Sequence, residues 1–78
     1  MIPVSISTQE SVLDARHLEP PEPMVLALRE LESLAQGHRL RLLLDREPYP
    51  FYGLLRDAGW QYDSCLFDDG HVEVLIWR

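Results

Sequence analysis

Apolar residues along the chain fall into short alternating runs and two helical stripes, and their order predicts the architecture. Residues 1–10 alternate only weakly and include Pro3, which predicts a partly ordered lead-in or a segment along a sheet edge. Ser11 to Arg16 predicts a first strand, closed by the turn His17-Leu18-Glu19. Pro20-Pro21-Glu22-Pro23 cannot continue a strand, but proline's fixed φ and missing amide suit the first turn of a helix. Met24, Ala27, Leu28, Leu31, Leu34 and Ala35 then recur at three- and four-residue spacing, gathering on one helix face, while Arg29, Glu30, Glu32 and Ser33 fall on the solvated side. Leu26 lies off the stripe and predicts a lone surface leucine, with part of a contact as the alternative. Gly37 offers the left-handed residue that ends such a helix.

Arg39 to Leu44 predicts a second strand, with Leu40, Leu42 and Leu44 on one face and Arg39, Arg41 and Leu43 on the other. After the break at Asp45-Arg46-Glu47-Pro48, Pro50 opens a shorter helix in which Phe51, Leu54, Leu55 and Ala58 share a face, and Gly59 stops it. Tyr49 and Tyr52 fall at the rim of that helix start. Trp60 to Phe67 and His71 to Arg78 predict two antiparallel strands joined through Asp68-Asp69-Gly70. Residues 11–78 are thus expected to form a single α/β domain, a two-layer sandwich of order β-α-β-α-β-β with a four-stranded mixed sheet. The first two strands pair parallel through the crossover helix, and the last two pair antiparallel through their short loop. With both helices on one side and Leu40, Leu42, Val72, Val74 and Ile76 pointing toward them, Leu43, Leu75 and Trp77 point to an uncovered face. That face is a candidate seam for a protein partner or a weak homodimer, although Arg39, Arg41, His71 and Glu73 are interspersed with its apolar groups.

Seventy-eight residues support one modest core, so a chain of this size gains from a partner. Seven arginines, no lysine and thirteen carboxylates leave a net charge of −6, the wrong field for a nucleic-acid partner. No apolar run approaches the roughly 20 residues that cross a bilayer, and no export signal opens the chain, so no membrane partner is expected and the expected location is cytoplasmic. Cys65 is the sole cysteine, which excludes an intrachain disulfide and a thiolate metal cluster.

Leu13-Asp14-Ala15-Arg16-His17-Leu18-Glu19-Pro20-Pro21-Glu22-Pro23 and Leu43-Leu44-Asp45-Arg46-Glu47-Pro48 together resemble the two characteristic segments of the uncharacterised bacterial and archaeal domain family DUF2249. The resemblance runs from about Val12 to the last strand. It implies a fold similar to the TusA and SirA sulfur-carrier domains, in which a Cys-Pro-x-Pro motif places a persulfide-carrying cysteine at the first helix entrance. Matching Pro21-Glu22-Pro23 to Pro-x-Pro leaves Pro20 where that cysteine would stand, and proline has no nucleophilic side chain. The resemblance therefore implies the scaffold and its habit of docking on other proteins, without sulfur carriage. Domains of this family also occur in proteins linked to nitrogen-oxide metabolism or beside haemerythrin-like domains, which implies a redox connection.

The candidate polar constellation joins the strand ends: Asp14, Arg16 and His17 after the first strand, Glu19 and Glu22 at the helix entrance, and Asp45 and Arg46 after the second strand. Open α/β sheets present ligands there, and Arg16 and Arg46 suit a small anion or an acidic peptide end. The competing expectation is an arginine–carboxylate network that only fixes loops, with Glu19, Glu22 and Glu47 as partners. Cys65, in mid-strand without a helix N-terminus or adjacent cation, reads as a packed or merely inert thiol, with redox sensitivity and a degenerate sulfur relay as the alternatives. No catalytic residue is nominated, because no nucleophile motif, phosphate loop or paired-carboxylate pattern occurs. His17, His38 and His71 lack metal-ligand spacing, so neither metal nor cofactor is expected.

Overall fold

The computed structural model describes residues 10–78. The lead-in expected over residues 1–10 lies outside the described residues up to residue 9, and Glu10 itself belongs to the first strand. The elements are β1 (Glu10–Asp14), α1 (Glu22–Glu32), β2 (Arg39–Leu44), α2 (Tyr49–Asp57), β3 (Gln61–Leu66) and β4 (Val72–Trp77). They form the expected β-α-β-α-β-β fold, whose mixed sheet has the order β1-β2-β4-β3. β1 lies parallel to β2, and β4 lies antiparallel to both β2 and β3.

The period-two pattern decides the two faces of this sheet. Leu40, Leu42, Val72, Val74 and Ile76 are at most 1% exposed on the helix side, joined by Leu44, Ala27, Leu31, Phe51 and Leu55. Among the described residues no polar or charged side chain is buried, so burial of apolar area drives this core. Glu73, Leu75 and Trp77 alternate onto the other face, where no helix among the described residues covers them. The β3–β4 hairpin closes with Gly70 N–H donating to Phe67 C=O and Phe67 N–H donating to His71 C=O, both at 2.9 Å. Gly70 takes φ +93°, the left-handed position of a three-residue hairpin loop.

Several boundaries and faces depart from the sequence pattern. β1 ends at Asp14 rather than Arg16, because the Asp14 carboxylate accepts the Arg16 amide in a local turn. α1 stops at Glu32, and the Ser33 and Leu34 amides fall back on Glu30 and Leu31 in a final tight turn. That leaves Ala35 exposed. Leu26 and Leu28 lie on opposite flanks of the Ala27–Leu31 stripe; Leu26 is half-buried rather than on the surface, and Leu28 is 40% exposed rather than in the core. In α2, Tyr52 stacks on Tyr62 of β3 with ring centroids 4.5 Å apart. This contact rolls the helix toward Tyr52, so Leu54 is 46% exposed, while Ala58 is exposed as the cap residue past the helix end.

Candidate functional site

The carboxyl ends of β1 and β2 and the starts of both helices enclose a cleft of about 310 Å³. Its wall comes from the residues that set these local structures. Pro20, Pro21 and Pro23 lead into α1, Pro48 and Pro50 lead into α2, and Leu18, Met24 and Phe51 fill between them. Asp45, Arg46 and Glu47 form the polar margin. The cleft is at the small end of the range for ligand pockets, mostly apolar with a few polar groups.

The prolines also decide what this cleft does poorly. A helix start attracts anions through its free amides. In α1, Glu22 N–H donates to Glu19 C=O, Pro23 has no N–H and Val25 N–H donates to Pro21 C=O. In α2, Pro50 lacks the donor, and the Phe51 and Tyr52 amides both donate to Pro48 C=O. Most first-turn donors are therefore absent or already used.

The nominated polar residues occupy the same end of the sheet, but they do not converge on one point. Arg16 lies bidentate on Asp14, Nε to Oδ1 at 2.9 Å and Nη2 to Oδ2 at 2.8 Å. That guanidinium holds the Asp14 carboxyl down at about 2. His17, in the left-handed region at φ 69°, donates its amide to Asp45 Oδ2 at 2.6 Å and ties the loop after β1 to the loop after β2. Glu47, expected to serve an arginine, instead accepts the Tyr52 hydroxyl at 2.8 Å. Burial, more than any other cause, pushes that hydroxyl up to about 12. Glu19 and Glu22 are exposed at the helix start and are joined only through their backbone. Arg46 is exposed at the cleft margin, and no side-chain acceptor meets it among the described residues.

On the uncovered sheet face, Leu43, Leu75 and Trp77 are each half-buried and divided by charge. Arg41 bridges Glu10 on β1 (2.6 Å) and Glu73 on β4 (2.9 Å), crossing the middle of the face. Arg39 lies over the Trp77 ring at 5.8 Å. His71 continues the chain of contacts, its ring between Asp69 and Glu73 and stacked on Phe67 at 4.5 Å. Sequence reasoning missed this network; opposite charges at cross-strand positions were its only signal, and reading them required the register. Cys65 is exposed on the same face beside its cross-strand neighbour Glu73, so of the packed and the merely inert readings the packed one falls. It is exposed because β3 is an edge strand. Among the described residues no group of three or more His, Cys, Asp or Glu side chains is placed to hold a metal ion, and no helix is long and apolar enough to cross a membrane.

No curated protein matches the sequence. In structure the chain is similar to the crystal structure of a SirA-like protein from Desulfitobacterium hafniense. The TM-score is 0.74 at 24% identity, over 83% of this chain and 92% of the other. At that identity the likeness speaks for the fold alone. The sequence over residues 12–78 matches the description "Uncharacterized conserved protein (DUF2249)", and the chain belongs to that family.

Proposed function

We propose that this domain is a noncatalytic binding module that docks a protein partner through the cleft between its two proline-led helix starts. The observation that carries this reading is the cleft itself: an apolar recess at the strand ends, bordered by polar groups that are largely satisfied within the chain. Prolines hold the recess in a preset shape, which lowers the ordering cost of binding. A nucleophile is absent from the matching position of the carrier motif, where Pro20 stands. The redox or nitrogen-oxide pathway that the family resemblance implies is the place to seek the partner.

Capture from native lysate tests this, comparing the intact domain with Leu18→Asp in the cleft and Leu75→Gln/Trp77→Gln on the open face, each first verified as folded. A partner retained by the face variant and lost by Leu18→Asp supports cleft docking. Loss with the face variant alone moves the interface to the sheet, and capture of no specific partner by the intact domain counts against a docking module.

Arg46 favours a second reading, a small anion at the cleft margin, because its guanidinium has no side-chain acceptor among the described residues. Calorimetric titration with inorganic phosphate would then show saturable binding that Arg46→Ala weakens. Unchanged binding in Arg46→Ala would remove that reading.

A further inference from the structure

Two strands away from the cleft, the sheet ends in an open edge. Among the described residues, β3 hydrogen-bonds to β4 on one side only. The hairpin determines which groups the other side presents. Phe67 N–H donates to His71 C=O, so Phe67 turns its backbone polar groups toward β4. Along an antiparallel strand this direction alternates from residue to residue. Cys65, Asp63 and Gln61 therefore also face β4, while Tyr62, Ser64 and Leu66 send their N–H and C=O groups outward.

Edge strands are ordinarily guarded by lysine, proline, a bulge or a covering element. Gln61–Leu66 contains no proline and no basic residue, and its one charge is Asp63. Leu66 shares a row with buried Val72 and Leu44 but lies beyond the cover of α2 and is 66% exposed. Phe67, next in the chain, is 40% exposed.

We propose that β3 pairs with β3 of a second copy of this chain, antiparallel about a two-fold axis at Ser64, joining the two sheets into one. Charge and strand length select this register. An axis at Asp63 sets two carboxylates face to face, and an axis at Cys65 or Leu66 slides the strand onto the acidic Asp68-Asp69 turn. An axis at Tyr62 leaves the outward groups of Leu66 unpaired. With the axis at Ser64, each outward N–H and C=O of Tyr62, Ser64 and Leu66 finds a partner within the strand. Asp63 then lies opposite Cys65 rather than a second carboxylate, and exposed Leu66 lies against Tyr62 of the second copy. One segment supplies both halves of this match, which is why the occupant is a second copy rather than a foreign strand. The cleft lies at the ends of β1 and β2 and stays open, so loss of this pairing and loss of cleft docking are separate results.

Sedimentation equilibrium on the full chain, from micromolar to millimolar concentration, tests the pairing. The expected result is a reversible dimer. Ser64→Pro deletes an outward N–H while sparing the β3–β4 ladder, and Leu66→Lys installs an edge guard. Each raises the dissociation constant by about tenfold or more with an unchanged circular dichroism spectrum. In Asp63→Cys the added thiol faces Cys65 of the second copy, so mild oxidation yields covalent dimer faster than in the parent, which has Cys65 alone. A chain monomeric throughout, a dimer indifferent to both edge substitutions, or parent cross-linking as fast as that of Asp63→Cys overturns the proposal.

Discussion

His71 is the residue whose surroundings most alter its chemistry. Its ring lies between the Asp69 and Glu73 carboxylates, with Arg41 behind Glu73 and Phe67 stacked on the ring. The hydrogen bond to Asp69 first, and that to Glu73 second, raise its pKa above the ordinary 6.5. Folding therefore favours the protonated ring: the contribution is complete below pH 6.5 and disappears as pH rises through the raised value. The urea midpoint of the wild type should fall over that interval, and His71→Gln should flatten the fall; an equally steep decline in the variant would exclude His71 as its source. Glu10, Asp69 and Glu73 act in the opposite direction, since their lowered pKa values make their contributions vanish under acid conditions. At Asp14 the main cause is Arg16, through its guanidinium first and its backbone amide second. Arg16→Ala should move the Asp14 titration, followed by carboxyl NMR shifts, from about 2 toward 3.8; a midpoint that stays low would mean that the Arg16 side chain is not what holds it there.

At the scale of elements, the two short helices show how far an apolar stripe specifies a packing face. Spacing put Leu54 and Leu55 of α2 on one core face, but only Leu55, at 1% exposure, is buried. The Tyr52–Tyr62 stack rotates the helix away from Leu54, a tertiary contact that no local pattern encodes. Leu55→Ala should therefore cost about 2–5 kcal/mol in chemical denaturation, whereas Leu54→Ala should stay within about 0.5 kcal/mol. Comparable losses at both positions would mean that the helix faces the sheet as the spacing alone suggests. The strands were more legible than the helices, because alternation with period two has only two faces to choose between. β2 matches its expected span of Arg39–Leu44 at both ends.

For the whole molecule, size is the governing fact. A chain of 78 residues has a stability on the order of 4–12 kcal/mol, so association through an edge contributes appreciably to the folded population. If β3 pairs as proposed, the thermal midpoint of the wild type rises with protein concentration while that of Ser64→Pro does not. A wild-type midpoint independent of concentration across the range where sedimentation finds dimer would contradict the linkage. The cleft and the open edge lie at separate places on the sheet, so one copy can serve both contacts.

The sequence by itself determined the element order, the β1–β2 and β3–β4 pairings and the residues of the sheet's inner face, because period, proline placement and loop length are local properties read along one strand or helix at a time. It also brought Asp14, Arg16, His17, Asp45 and Arg46 to one end of the sheet, since strand ends follow from topology. Only the tertiary structure decided which acid each arginine meets, that β4 inserts between β2 and β3, and that Cys65 and Leu66 lie on an exposed edge. Those outcomes depend on distances between groups far apart in the chain, and such distances exist only once the sheet is assembled.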